Sequence, residues 1–265
     1  MSGLLIRLAG PLQSWGEHSS FADRDTLDHP TRSALTGMFA AAEGRGRAMP
    51  LERYAPLRFT VRVDRPGVRI SDFHTIGGGL PAKQTVPTAE GKRRPEKAGT
   101  IVTRRSFLAD AVFTVAVEGP SDVLGEVAAA LEAPHWGPYL GRRACVPDPL
   151  LLLRPEAEDP VHSLRTEVPL PPHAGEKRQG RNGRRAAGAR VRFIEEGAPS
   201  AAGQGRSSAV LNDIPLSFLG QRRTYRSREV AIRLEQLPAH LFTRKTDEYQ
   251  RRIFEYAKEG RCPSD

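Results

Sequence analysis

The chain has 265 residues, with 40 Lys and Arg against 31 Asp and Glu, a formal charge of +9 and a pI near 10. That length supports one large domain or two modest ones without covalent staples, and the charge favours an anionic partner, nucleic acid ahead of a membrane surface. Two cysteines, Cys145 and Cys262, are too few for a disulfide framework or a tetrahedral zinc site; no segment approaches the roughly 20 apolar residues of a membrane span, and the expectation is a cytoplasmic protein without a cofactor.

The first strand is Gly3 to Leu8, broken by Gly10 and Pro11 and followed by a polar and aromatic loop, Gln13-Ser14-Trp15-Gly16. After Pro30, "TRSALTGMFAAAEG" offers Thr31 as N-cap, Leu35, Met38, Phe39 and Ala42 in helical spacing and Gly44 as a stop. "PLRFTVRVDRPG" alternates, with Leu57, Phe59, Val61 and Val63 on one side and Arg58, Thr60, Arg62 and Asp64 on the other, the pattern of a half-buried strand. From Asp72 to Arg105 glycine, proline and lysine dominate. Loops longer than about 12–15 residues in a compact domain are usually functional or disordered, and this one returns through Ile101 and Val102 like an extended hairpin.

"FLADAVFTVAVEG" is the strongest strand, ended by Gly119 and Pro120. "SDVLGEVAAALEAP" follows as a short helix with Ser121 as N-cap and Val123, Val127, Ala130 and Leu131 inward. Leu150 to Leu153 then form a buried strand. The order strand, helix, strand, excursion, strand, helix, strand is the βαββαβ split of an RRM-like or ferredoxin-like α+β domain, two helices on one face of an antiparallel sheet and the other face open. We assign residues 1–154 to this domain, with a thumb insertion at about 74–105. Residues 155–238, with two low-complexity Arg/Gly- and Ala/Ser/Gly-rich stretches and the strand-like pieces "LRTEVPL", "VRFIE" and "REVAIRLEQL", form a small, mainly β C-terminal lobe. Residues 239–265 are a charged tail that can form an amphipathic helix with Tyr249, Ile253, Phe254 and Tyr256 near one side.

Residues suited to RNA contact sit where strands end. Trp15 and Gly16 follow the first strand, Arg32 and Ser33 open a helix whose free N–H groups attract phosphate, and "PYLGRR" sets Tyr139, Gly141, Arg142 and Arg143 before the last strand of the split. Glycine admits a backbone, arginine forks onto phosphate and an aromatic ring stacks on an unpaired base. The competing readings are ordinary packing for Trp15 and a solvated surface for the arginines. His74, before the triple glycine, is suited to acid or base work on a 2′-hydroxyl or to plain hydrogen bonding. The excursion also carries Lys83, Lys92, Arg93, Arg94, Lys97, Arg104 and Arg105. His18 and His29 flank Asp23, Asp25 and Asp28 without metal-ligand spacing, and Phe107 and Phe113 do not make the aromatic signature of a sheet-reading RRM. RNA is therefore expected along loops, helix starts and the excursion.

Five motifs in this order, "LLIRLAGPLQSWG", "HPTRSALTGMF", "DFHTIGG", "RRSFLADAVFTVAV" and "PYLGRRAC", resemble the CasD family, the fifth Cas family of the RAMP superfamily, whose members are subunits of type I-E CRISPR Cascade complexes. The resemblance runs from residue 4 to about 153 and returns weakly at "YRSREVAIRL". It implies an antiviral, non-catalytic CRISPR RNA-binding subunit that caps the 5′ handle of the guide. Such a subunit joins the CasC backbone and large CasA subunits, and meets target DNA only through the complex. RNA maturation belongs to CasE. Handle contact is carried over to Trp15, Gly16, Arg32, Ser33, Tyr139, Gly141, Arg142 and Arg143, and thumb contact to Lys83, Arg104 and Arg105. The alternative is a metal-independent endoribonuclease acting on repeat RNA, with His74, Tyr139 and Lys83 as its chemistry.

Overall fold

The computed structural model describes residues 2–17, 22–88, 90–172, 190–197, 206–219 and 223–260. The two low-complexity stretches of the C-terminal half, His18 and Cys262 lie outside the described residues.

Strand β1 (Gly3–Ala9) pairs on one side with β7 (Val112–Glu118) and on the other with β8 (Leu152–Ala157), while β4 (Arg58–Arg65) lies beyond β7, all antiparallel. In chain order these are the first, second, third and fourth strands of the split, arranged 4-1-3-2, which confirms the RRM-like α+β body. Helices α1 (Arg32–Ala42) and α2 (Ser121–Glu132) cover one face, burying Leu4, Ile6, Leu8, Phe59, Val61, Phe113, Val115 and Val117 against Leu35, Phe39, Val127 and Leu131. Thr31 caps α1 through its hydroxyl, which accepts from Ala34 N at 3.2 Å, and Gly44 ends it at φ +72°. Ser121 is not the cap of α2: the helix begins on it, and the cap position is Pro120, with no side-chain bond.

Among the described residues, the C-terminal half builds no sheet of its own. Strands β9 (Arg190–Glu196), β10 (Arg206–Ser217) and β11 (Thr224–Gln236) extend the first sheet outward from β4, giving the order β10-β11-β9-β4-β7-β1-β8. "LRTEVPL" is not a strand. Its first half ends helix α3 (Pro160–Thr166), because Asp159 accepts from His162 N at 2.8 Å and Pro160 occupies the first helical turn.

The second sheet face, expected to be open, is closed. Helix α3, the segment through Leu170 and helix α4 (Thr246–Glu259) bury a second cluster of Leu5, Ala116, Leu153, Val191 and Phe193 with Leu164, Leu170, Tyr249, Ile253 and Tyr256. Phe254 points away, 60% exposed. The polar side of β4 is consequently buried as well. Arg62 and Asp64 are 0% exposed; Arg62 Nε donates to Asp64 Oδ1 at 2.5 Å, Arg62 also donates to the carbonyls of Leu164, Val168 and Pro169, and Thr114 Oγ1 donates to Asp64 at 2.6 Å. A charged pair tolerates such burial only when its remaining polar atoms find partners, and the carbonyls of the covering segment supply them.

The long excursion is the outer part of an antiparallel hairpin, β5 (Val68–Ile76) and β6 (Ile101–Ala109), paired in unbroken register from Val68↔Ala109 to Ile76↔Ile101. The inner end of β6 also pairs with β2 (Leu12–Gln13), and its middle pairs with β3 (Asp23–Arg24). Every side chain of β5 up to Thr75 is exposed, as expected of an arm leaving the body. At the tip, Thr85 is buried beneath its own loop: its hydroxyl donates to the Arg94 carbonyl and its carbonyl accepts from Arg93 Nη1.

Candidate nucleic-acid interface

Three segments far apart in sequence meet beside the root of the hairpin. Asp23 and Arg24 pair in parallel with Arg104 and Arg105, and Arg104 N donates to the Ala22 carbonyl at 2.8 Å. The loop of residues 139–145 closes from the other side, where Arg142 Nη2 donates to the Arg24 carbonyl at 3.0 Å and the Arg142 guanidinium lies 4.8 Å from the centre of the Phe107 ring. Tyr139 and Arg143, on the same loop, are exposed. Arg24, Arg104, Arg105, Arg142 and Arg143 are thus brought to one edge. Their acidic neighbours are Asp23, Asp25 and Asp72, of which Asp72 is the register partner of Arg105.

The hairpin presents two faces by strand alternation. Ile70, Asp72 and His74 share one with Phe107, Arg105 and Thr103, the side on which Arg142 sits. Phe73 shares the other with Arg104, whose guanidinium lies 5.2 Å from the Phe73 ring centre while that ring remains 64% exposed. His74 is exposed on a regular strand rather than at the start of a loop, and Lys83 is exposed near the tip. Burial is the largest cause pushing the Arg142 pKa down, and the neighbouring Arg105 charge is next. Burial likewise pushes the Cys145 thiol up.

Four residues expected to touch RNA have other work. Trp15 is 0% exposed, part of the core, and its backbone bridges Leu27, so its ring offers no face to a base. Arg32 is 6% exposed, its guanidinium bonded to Glu196 at 2.7 and 2.8 Å and to the carbonyls of Leu57, Tyr54 and Ala55. Its amide donates to Asp213 Oδ2 at 2.6 Å, so a carboxylate already occupies the helix N-terminus that was expected to draw phosphate. Ser33 is half-buried, its hydroxyl 3.2 Å from that of Thr31. Gly141, at φ +85°, is required by the protein itself: a Cβ there would stand 1.7 Å from the Ser14 carbonyl oxygen. It lets the 139–145 loop lie on the loop after β1, where Ser14 N donates to the Leu140 carbonyl. Gly16 is exposed beside that contact.

Arg24 was not singled out from the sequence, and Phe107 was weighed there only as part of an aromatic sheet-reading signature that it does not make. Arg24 lies between Asp23 and Asp25, so a linear charge count cancels it; only its pairing with β6 separates it from them. Among the described residues no group of three or more His, Cys, Asp or Glu side chains is placed to hold a metal ion, and no helix is long and apolar enough to cross a membrane.

A βαββαβ body with a basic hairpin arm rooted between arginine-bearing loops is the architecture that the resemblance to the CRISPR-associated RAMP-like proteins implies. The family model described as CRISPR-associated protein (Cas_Cas5) matches residues 3–231, and the chain belongs to this family. It is 36% identical over 177 residues to the CRISPR system Cascade subunit CasD of Escherichia coli (strain K12), an alignment covering 64% of this chain and 78% of that protein. It is 54% identical to a chain of a solved CRISPR RNA-guided surveillance complex, with a TM-score of 0.84 over 97% of this chain and 99% of the other. A crystal structure of a Cas protein is 30% identical, with a TM-score of 0.57 over 92% and 99% of the two chains.

Proposed function

We propose that the protein is a non-catalytic, CasD-type subunit of a CRISPR Cascade complex that caps the 5′ handle of the guide RNA and joins the backbone and large subunits. The observation that carries the reading is the convergence of Arg24, Arg105 and Arg142 at the root of the arm. The Arg24, Arg105 and Arg142 guanidinium groups make no salt bridge with another described residue. The near-complete match to a chain of an RNA-guided surveillance complex supports the same assignment. Gly16, His74, Lys83, Arg104, Arg105, Tyr139, Arg142 and Arg143 are the contacts assigned to RNA. Trp15, Arg32 and Gly141 instead position the loops that carry them. With the sheet face sealed by α3 and α4, the guide runs along the loops and the arm.

Co-expression with a repeat-containing transcript and the other subunits tests this. The protein is expected to emerge in a complex with guide RNA, and Arg142→Ala with Arg143→Ala is expected to weaken handle binding and flatten its salt slope by about 1.4, two phosphates on a single strand. Emergence alone with mixed RNA, or an unchanged slope, would count against the reading. Metal-free cleavage of repeat RNA that disappears in His74→Ala would replace it with the endoribonuclease.

A further inference from the structure

Helix α1 and strand β10 enclose a cavity that the RNA interface does not use. Its walls are fixed from within the chain: the Arg32 amide donates to Asp213 of β10 at 2.6 Å, and the Arg32 guanidinium holds the Tyr54 and Ala55 carbonyls at 3.0 Å each. Register shifts in β10, between Leu211 and Ile214 and between Pro215 and Ser217, bring Ile214, Pro215 and Leu216 to line it. The space is about 230 Å³, walled by these three and Leu51, with Arg226 and Glu52 also on its lining. One group in the wall is unsatisfied. Thr36, in the second turn of α1, is 1% exposed, and its Oγ1 has no hydrogen-bond partner, not even the carbonyl of the preceding turn to which a helical threonine ordinarily bonds. Leu216, 53% exposed, leaves apolar surface at the rim, and Arg226 is exposed without an ion-pair partner among the described residues.

These features select an occupant. A buried hydroxyl is costly without a partner, and Thr36 calls for a polar atom carried in on an apolar body that suits Leu51, Ile214 and Pro215. A carboxylate would face Glu52 and an ammonium would face Arg226, so the polar tip is neutral. A phenylalanine ring would leave the hydroxyl orphaned, and an asparagine would leave the apolar walls uncovered. A phenol meets every condition, because it is neutral at pH 7, donates or accepts a hydrogen bond, and offers a ring face to the Arg226 guanidinium. Pro215 has no N–H to give a further strand, so contact here is made by a side chain. We propose that this cavity receives a tyrosine side chain from a neighbouring protein subunit of the complex. Aromatic anchors seated in pockets and ringed by water-excluding contacts are the usual energetic centres of protein interfaces. The inference rests on the reading of the protein as a complex subunit and adds a docking site for protein: none of the residues lining the cavity is among the contacts assigned to RNA.

The test has two parts. In the first, the full chain is titrated with N-acetyltyrosine amide and N-acetylphenylalanine amide and followed by NMR. The tyrosine amide is expected to shift the resonances of Thr36, Ile214 and Leu216 and to bind roughly 2- to 10-fold more tightly than the phenylalanine amide. Thr36→Val keeps the shape of the wall without its hydroxyl and should abolish that preference. In the second, Ala55→Phe, at an exposed lining position with φ −59°, fills the cavity with a ring of the chain's own. Co-expressed with the other subunits and a repeat-containing transcript, this variant is expected to hold a protein neighbour roughly 10-fold more weakly or lose it, while the chain alone keeps its Tm and its affinity for handle RNA. The amide comparison keeps the proposal testable if Ala55→Phe fails to fold. Equal affinity for the two amides, a preference that survives Thr36→Val, a small molecule retained in the cavity through purification, or wild-type assembly of Ala55→Phe would overturn the tyrosine site and leave the complex-subunit reading intact. A wild-type chain that emerges without partner subunits would overturn both.

Discussion

Gly141→Ala is the substitution whose consequence follows most directly from the geometry. A left-handed backbone at φ +85° costs an L-residue about 1–2 kcal/mol. The 1.7 Å approach of the new Cβ to the Ser14 oxygen can be relieved only by moving the 139–145 loop away. That movement breaks the Ser14 N–H to Leu140 carbonyl bond of 3.1 Å, worth about 1 kcal/mol. It also draws Leu140, 0% exposed, partly out of the core for about another 1 kcal/mol. The sum is about 3–4 kcal/mol, a fall in Tm of roughly 6–8 °C at about 2 °C per kcal/mol for a chain of this size. The same displacement lifts Arg142 off Phe107 and away from Arg24, so guide RNA affinity should fall although no cation has been removed. Thermal and urea denaturation with RNA binding at two salt concentrations checks both effects. Gly137→Ala, with nothing within 4 Å of its Cβ, is the control and should stay within about 0.5 kcal/mol of wild type. A Gly141→Ala protein with wild-type Tm and wild-type RNA affinity would refute the claim that this close approach builds the interface.

Deleting Gly91 to Lys97 removes the Arg93 and Arg94 bonds to Thr85 but none of the β5–β6 register; the protein should fold with nearly unchanged Tm and assemble poorly with its partner subunits, and normal assembly would contradict a role for the arm. Arg62→Met leaves the Asp64 carboxyl at 0% exposure without its cation, keeping the Thr114 hydroxyl as a donor, expected to cost about 3–5 kcal/mol. Adding Asp64→Leu should cost less than the sum of the two single changes in urea denaturation, whereas strict additivity would mean the pair is uncoupled. Asp28 is held well below its ordinary 3.8, chiefly by the hydrogen bond to His29 and further by Arg192. A depressed folded-state pKa contributes stability that is complete above the ordinary carboxylate range and is lost as pH falls below it. Asp28→Asn should therefore lower Tm at neutral pH and make the acid limb of the Tm–pH curve shallower; an acid limb identical to wild type would show that this carboxylate is not linked to folding.

Much of the body was legible in the sequence because its signals are local. Alternation along β4, the Thr31 cap, the Gly44 stop and the helical spacing of α1 and α2 are properties of a few consecutive residues, and the order of elements then leaves few sheet topologies open. The family resemblance was carried by the same segments. What the sequence could not disclose depends on which distant residues become neighbours. Thr60, Arg62 and Asp64 read as a solvated strand face, and only the arrival of α3 and α4 buries them. Residues 206–236 read as part of a second lobe, and only their pairing through β9 to β4 makes them an extension of the first sheet.

The interface divides along the same line. Its chemistry, arginine and glycine at strand ends with a basic arm between them, was set by residue types and their spacing. Which arginines remain available to RNA was decided by tertiary structure. Arg32 is consumed by Glu196, 164 residues away, and Arg24, cancelled on paper by Asp23 and Asp25, is placed beside Arg105 and Arg142. The physical reason is that a charge acts through distance in space and through the burial of its partners, and neither can be read from position along the chain.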